Sequence, residues 1–520
     1  MKRLTSLVAW LFVGVVFGAQ VVTPVRAQGS SPGGVPVIPL QPQANSDIYL
    51  PVVFKGQPPD SIFGIEMGYE LSISTLNGPS DMMKKAGAAL VRHNALLWSK
   101  VEPTPGARQW DTSLDQKLLN ARENNLNPIL IIRSAPLWAQ KFANNYCGPV
   151  LWSAMDEFAN FMRDVVTRYS GFPYYITYYE LWNEPDISYG AFTNAGDTEF
   201  GCWGDPADNN FGGWAYADLL KWAYPAIKQA NPRAQVLIGG LLLDCDPNNP
   251  PPNKDCKSGR FLQGILANGG GPYFDGVSYH AYDYFNPPAD LNDPKSGLGT
   301  YGNPNWFSSW NTTGPVLFAK TNFVRNVLNQ YGIVGKYLIN SEVGLLCGGD
   351  YVDPHCDPTF IPQSISFQNT KAYYVVQSYS AARYVGLKAN IWYSYLGWRD
   401  SGLFQPQTNT VAPAYYAYSF TRQQINWSYS ANTISPALSV KGYEFNKTGK
   451  KVWVLWYVGG DPNNGSLATT VQLPSMPVAI WRWMDVDTDS GTTNDGTYQP
   501  ASISQSISVG RAPVFVEFTP

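Results

Sequence analysis

The sequence predicts an α/β fold: a (β/α)8 TIM barrel followed by a small C-terminal all-β domain of sandwich type. Three observations predict it. Short apolar runs alternate with segments of helical period, eight times over, between residues 60 and 425. No such run leads into a GxGxxG or Walker A turn, the usual mark of a doubly wound open sheet. From residue 426 onward the pattern changes to apolar/polar alternation between turn clusters such as "DPNNGS".

The chain opens with MKRLTSLVAWLFVGVVFGAQVVTPVRAQ, in which Lys2 and Arg3 precede an apolar stretch of about 16 residues. Val25-Arg26-Ala27 offers a small-residue cleavage site, so residues 1–27 read as a signal peptide. A retained membrane anchor is the alternative, disfavoured because the run is short for a spanning helix. Residues 28–59 are rich in Pro, Gly, Gln and Ser and read as a linker. Their one apolar patch, "IYLPVVF" (48–54), is placed as a docking edge strand.

The barrel occupies residues 60–425. Its strands are expected at 61–67, 89–94, 128–134, 175–182, 234–240, 274–282, 336–342 and 389–396. Between the third and fourth, "SAMDEFANFMRDVVTRYSG" (153–171) spaces Met155, Phe158, Met162, Val165 and Tyr169 three to four apart. Ser153 is its expected N-cap and Gly171 its stop. Further helices are expected at 213–232, 368–388 and 412–425. The all-β domain, 426–520, is expected to support the barrel, with its aromatic residues mostly turned into its own core.

Net charge is 36 − 39 = −3, without charge blocks, which argues against nucleic acid or an anionic membrane as the main partner. Aromatic residues make up 14% of the chain and charged residues only 14%. That balance suits ligands with flat apolar faces and neutral hydroxyls, as sugars have. The six cysteines, an even number in an exported chain, predict disulfides. Cys245–Cys256 and Cys347–Cys356 each flank a local loop, and Cys147–Cys202 follows by elimination. A metal site is disfavoured, with no CxxC and only His93, His280 and His355 available. The reading calls for no cofactor, a carbohydrate substrate, a monomer, and no membrane contact once the leader is removed.

Barrel enzymes work at the C-terminal ends of their strands. There the fourth strand, "YYELWNEPD" (178–186), delivers Asn183 and Glu184, and Pro185 stops the strand. The seventh, "YLINSEVG", delivers Glu342; the second, Arg92, His93 and Asn94; the sixth, His280 and Tyr282. The eighth gives Trp392, with Trp398 just beyond. Two glutamates facing each other across a barrel mouth form the pair needed for glycoside hydrolysis.

"WNEP" and "SEVG", after the fourth and seventh strands, resemble clan A retaining β-glycoside hydrolases. "WSKVEPTPGARQWD" (98–111) resembles the second-strand loop of several families in that clan, and "SYHAY" their sixth strand. The likeness covers roughly residues 60–425, and "NSEVG" leaves the family within the clan open. The resemblance implies that Glu184 is the acid/base and Glu342 the nucleophile. An apolar surround including Trp182 would keep Glu184 protonated. Arg92 and the Tyr282 hydroxyl would hold Glu342 ionised and aimed. Asn183 would bond the sugar 2-hydroxyl, and Trp398 or Trp392 would floor the sugar site. His280 and His93 are open between support and substrate contact, and Glu66 between a sugar hydroxyl and Arg92. The rival functions are a non-catalytic carbohydrate-binding protein on the same scaffold and a transglycosylase using the same residues. Sugar, linkage and internal against end-wise cleavage are not readable.

Overall fold

The computed structural model describes residues 52–53, 61–67, 79–285, 306–310, 312, 314–347, 361–405, 410–458, 468–486 and 496–520. The expected signal peptide lies outside them, as do most of the linker and Cys356 of the expected Cys347–Cys356 pair.

Eight parallel strands close into a barrel: β1 Phe63–Glu66, β2 Leu90–Leu97, β3 Asn127–Arg133, β4 Tyr178–Asn183, β5 Gln235–Leu241, β6 Gly276–Phe285, β7 Tyr337–Leu346 and β8 Ala389–Trp392. Each pairs with the next, and β8 returns to β1 through the register Asn390–Phe63, Ile391–Gly64. A helix follows each strand: α1 Pro79–Ala86, α2 Thr112–Glu123, α3 Met155–Tyr169, α4 Gly213–Ala230, α5 Phe261–Ala267, α6 Leu317–Gln330, α7 Ile361–Tyr384 and α8 Pro413–Ile425. Ser153 does not cap α3; it sits in a 3-10 turn, Trp152–Ala154, that leads into the helix.

The barrel interior is layered. Leu90, Ile129, Leu237, Ile339, Ala389 and Ile391 form a dry apolar floor. Toward the mouth the inward positions turn polar and bring Arg92, Glu180, Ser341 and His280 into the space over that floor. The strands' other faces pack against the helices in one large apolar cluster. The layering follows from the strand period of two, because floor and mouth residues recur at every second position.

The all-β part is built from β9 Ser430–Ile434, β10 Val440–Lys447, β11 Lys450–Tyr457, β12 Ala468–Gln472, β13 Ala479–Met484, β14 Thr497–Pro500, β15 Ser506–Gly510 and β16 Val514–Phe518. Val52–Val53, from the linker patch, pairs with β9 as the edge strand of a seven-stranded sheet. Strands β12 and β15 pair as a separate ribbon. In β11, Trp453, Leu455 and Tyr457 share a core with the ribbon's Val471, Ile507 and Val509, whereas Val452, Val454 and Trp456 join the barrel's cluster. The aromatic residues are therefore not mostly internal to this part. Phe420 of α8 stacks on Tyr498, and Trp483 Nε1 donates to Asn369 Oδ1 of α7 at 3.1 Å. The barrel itself covers one face of the sheet.

Two disulfides join described residues, Cys147–Cys202 and Cys245–Cys256. The first ties the loop after β3 to the loop after β4, and Cys147 O accepts from Trp182 Nε1 at 2.8 Å directly behind Asn183. It closes 55 residues and the second 11. Removing it as Cys147→Ala with Cys202→Ala should cost about 4 kcal/mol, against about 3 for the shorter loop. Urea unfolding of the two double variants measures both, and a larger loss at Cys245–Cys256 would mean that native geometry, not loop length, decides.

Candidate active site

The mouth is organised around Arg92, which enters from β2 and is fully buried. Its Nη2 donates to Glu180 Oε1 at 2.6 Å and to Asn183 Oδ1 at 2.7 Å, and its Nε to Glu180 Oε2 at 3.4 Å. Nη1 donates to Glu66 Oε2 at 2.9 Å and to Glu342 Oε1 at 2.6 Å. Every N–H of the guanidinium thus has an acceptor, a fork that the point charge of a lysine would not reproduce. Glu66, left open above, pairs with Arg92. Burial, only partly offset by Arg92, pushes the Glu66 carboxyl up to about 8.

Local backbone presents the two expected glutamates. Trp182 and Glu184 both have positive φ, 68° and 49°, uncommon for residues with a Cβ. The twist at Trp182 breaks the alternation of β4, so Glu180 and Asn183, of opposite parity, both reach Arg92. The peptide of Glu184 is pinned by its own N–H to Gly240 O at 2.9 Å. On β7 the break is a slip of register. Tyr279 pairs with Asn340, but His280 pairs with Glu342, so Ser341 and Glu342 both turn into the mouth. Such bulges commonly re-aim side chains next to active sites.

His280 joins the pair. Its Nδ1 lies 2.7 Å from Glu184 Oε1 and 3.4 Å from Glu342 Oε2. One oxygen of each glutamate and one ring nitrogen of His280 fall within 4.8 Å of one another. Tyr282 Oη donates to Glu342 Oε2, so both oxygens of Glu342 are held. The three groups have the spacing of a metal-ligand set, but Arg92 bonded to Glu342 places a fixed cation where a metal ion would carry its charge.

Burial raises both carboxyls, with different offsets. Glu184 stands well above the usual carboxylate range through burial, and then through the charge of Glu342. Glu342 is raised by burial, while Arg92 and the Tyr282 hydrogen bond pull it back toward ionisation. A single proton shared by the pair therefore belongs on Glu184. Burial, with the Arg92 and Lys320 charges, holds His280 well below its ordinary value and so neutral.

The remaining expected residues divide. Asn183 donates to Glu199 O at 3.0 Å while accepting from Arg92, so its amide is fixed facing the mouth. Trp398 is 52% exposed and meets Tyr282 edge-on at 6.5 Å. Trp392 is not a sugar floor. Ile391 lies in the barrel floor, so its neighbour faces the helices, where Trp392 is fully buried and donates to Ser401 O at 2.9 Å. The next residue, Tyr393, stands edge-on to Tyr282 at 6.0 Å and takes the inward place. Trp182 likewise packs outward, against Phe158 of α3 and Trp203. His93 is buried on the helix side of β2, lowered to about 4 by burial and by Lys117 of α2. It takes no part in the mouth.

No family model matches the chain, and no curated protein matches it. Solved structures do. One is a family 39 glycoside hydrolase from Bacteroides cellulosilyticus, at 16% identity and TM-score 0.60, covering 88% of this chain and 81% of that one. A family 30 subfamily 8 xylanase from Clostridium acetobutylicum aligns at 15% identity and TM-score 0.53, over 90% and 98%. A family 30 xylanase from Talaromyces cellulolyticus aligns at 13% and 0.53, also over 90% and 98%. These likenesses establish the shared fold of barrel and all-β part.

Replacing Arg92 with Met should cost about 3–5 kcal/mol at neutral pH, since its carboxyl partners lose a buried cation. The folded-state pKa of Glu342 then rises further above the unfolded value, whereas Glu66, already pushed up to about 8, is protonated at neutral pH and below and adds nothing to the difference. The cost is present above the folded pKa of Glu342 and shrinks as pH falls through it. Urea unfolding at pH 5 and 7 should show a smaller deficit at pH 5, and an equal deficit at both would contradict this account of the site.

Proposed function

We propose that the chain is a secreted glycoside hydrolase that cleaves β-glycosidic bonds of oligo- or polysaccharides with retention of configuration. One observation carries the reading: carboxyl oxygens of Glu184 and Glu342 lie within 4.8 Å of each other across the barrel mouth. Retaining enzymes keep the two carboxyls about 5–5.5 Å apart, whereas inverting ones leave about 6.5–9.5 Å for a water. The family 39 and family 30 structures of the same fold are described as glycoside hydrolases, and the family 30 pair as xylanases, which supports the reaction class without choosing the sugar. Two disulfides and the leader-like N-terminus support export. Among the described residues no helix is long and apolar enough to cross a membrane.

In the first half-reaction Glu342 attacks the anomeric carbon and the glycosidic C–O bond breaks. The proton of Glu184 passes to the leaving oxygen. In the second, Glu184, now a carboxylate, takes a proton from a water that attacks the same carbon. The ester bond to Glu342 breaks, and two inversions give net retention. Arg92 and Tyr282 keep Glu342 charged before attack and stabilise it as it leaves. Asn183, fixed by Arg92 and Glu199 O, presents its remaining amide N–H to the sugar. Tyr282, Tyr393 and Trp398 form the aromatic wall against which the ring packs. A sugar acceptor in place of water would make the same site a transglycosylase.

Rescue chemistry tests which glutamate plays which role. Glu342→Ala should be inactive on every substrate, and added azide should give the inverted glycosyl azide. Glu184→Ala should keep activity on aryl β-glycosides whose leaving groups need no proton, and azide should give the retained product. Activity in Glu342→Ala on good leaving groups would reverse the two assignments, and full activity in both variants would leave neither glutamate catalytic. With unactivated substrates, wild-type kcat/KM should fall as pH rises through the elevated pKa of Glu184, because only the protonated acid works. The same profile in Glu184→Ala should lack that alkaline limb.

A further inference from the structure

Lys320 takes no part in the reaction as described, yet it is a buried cation on α6 that reaches under the barrel mouth. Its Nζ donates to Leu242 O at 2.9 Å and to His280 O at 2.8 Å, and it lies over the Trp310 ring at 5.8 Å. Carbonyls, not carboxylates, take these hydrogen bonds. Their location is specific. The β5–β6 ladder slips between Ile238 and Leu241 and ends at the pair Leu241–Tyr279. The β6–β7 ladder slips between Tyr279 and His280. His280 thus follows immediately on irregularities in both of its ladders, and the carbonyls just past the last β5–β6 pair are the two that Lys320 holds.

We infer that Lys320, outside the cleft, is a positioning residue for the acid/base: its ammonium clamps Leu242 O and His280 O where the ladders give out and so fixes the His280–Glu184 hydrogen bond. The inference rests on the glycosidase reading for its kinetic test but not for its structural one. An ammonium suits the task because it offers three donors on a stem long enough to cross from a helix to two strand ends. Its charge acts as well. Asp186, Asp244, Asp283 and Glu184 surround it, and their charges oppose the burial that pushes Lys320 down to about 8. Glu184 itself is faced by Glu342 from β7, Asp186 from its own loop, Arg92 from β2, His280 from β6 and Lys320 from α6. Of these, the Arg92 and Lys320 charges pull its pKa down, so losing Lys320 raises it.

The test compares wild type with Lys320→Met, which keeps the stem and removes donors and charge. Substrates are two β-glycosides, one with an activated aryl leaving group and one with an unactivated alkyl group. The expected loss in kcat/KM is on the order of tenfold to a hundredfold with the unactivated substrate and much smaller with the activated one. The alkaline limb on the unactivated substrate should move to higher pH. A crystal structure of the variant should show His280 Nδ1 withdrawn from Glu184 Oε1 beyond hydrogen-bond distance. Equal losses on both substrates, or none, with that hydrogen bond intact, would overturn the inference. Should Lys320→Met not fold, Lys320→Gln removes the charge and keeps amide donors: the alkaline limb should still move to higher pH with the His280–Glu184 bond kept, and an unmoved limb, or that bond lost with the amide still on Leu242 O and His280 O, would overturn the inference. A wild type inactive on every β-glycoside would end the glycosidase reading alone, and the crystal structure would still decide the role of Lys320.

Discussion

A guanidinium without water must find an acceptor for every N–H, and in this barrel Arg92 finds them on β1, β4 and β7 at once. That requirement ties together strands far apart in sequence and fixes the height at which the apolar floor gives way to a polar mouth. It also overloads one cation. Glu66, Glu180 and Glu342 all bond to it, and Glu184 lies just beyond, so the buried carboxyls outnumber the charge that can balance them. Protons must make up the difference. They go where burial and the neighbouring carboxylates outweigh Arg92, onto Glu66, pushed up to about 8, and onto Glu184, raised by burial and the charge of Glu342. The protonation of Glu184 is thus a consequence of how Glu342 is held.

The same economy explains the irregular backbone. A straight strand sends every second side chain inward. Strict alternation on β4 would separate Glu180 from Asn183, and on β7, counted from Ile339 in the floor, it would send Glu342 toward the helices. Positive φ at Trp182 and a slipped register at Glu342 undo both. Such conformations persist only where surrounding contacts over-determine them. Here those contacts are the Arg92 fork, the Glu184 N–H to Gly240 O bond and the Cys147–Cys202 bridge behind Asn183.

The barrel was legible in the sequence because it depends on repetition, with eight apolar runs, eight helical periods and no competing turn signature. The carboxyl pair was legible because Pro185 marks a strand end and Glu342 ends the run 336–342 of matching texture, although the strand itself continues to Leu346. What stayed hidden depends on departures from the period. Glu180 sits in the most informative stretch of the chain, yet alternation assigns it the face opposite Asn183. Trp392 drew attention as a large aromatic residue, and only its parity with Ile391 shows that Tyr393 takes the inward place. Lys320 lies on a helix, and a helical lysine ordinarily signals solvent. The β-domain's alternation was visible, but alternation cannot say which of its two faces meets the barrel.

His280 shows how finely such a site is balanced. Its Nδ1 faces two carboxyls, an arrangement that would ordinarily draw a second proton onto the ring. A charged imidazolium would then hold Glu184 ionised, the wrong state for the acid role proposed for it. Two features prevent it. Arg92 and Lys320 stand close enough to oppose another positive charge. On its far side, Nε2 is buried with no hydrogen-bond partner among the described residues, against Gly240, where a Cβ would come within 2.1 Å of it. A protonated Nε2 would be a donor buried without an acceptor, which costs more than a bare lone pair. The ring is therefore neutral with its proton on Nδ1, a donor from which Glu184 can accept both as a carboxylic acid and as a carboxylate. Glycine at position 240 makes room for that tautomer, and the clamp on His280 O keeps the ring where both states of Glu184 can use it.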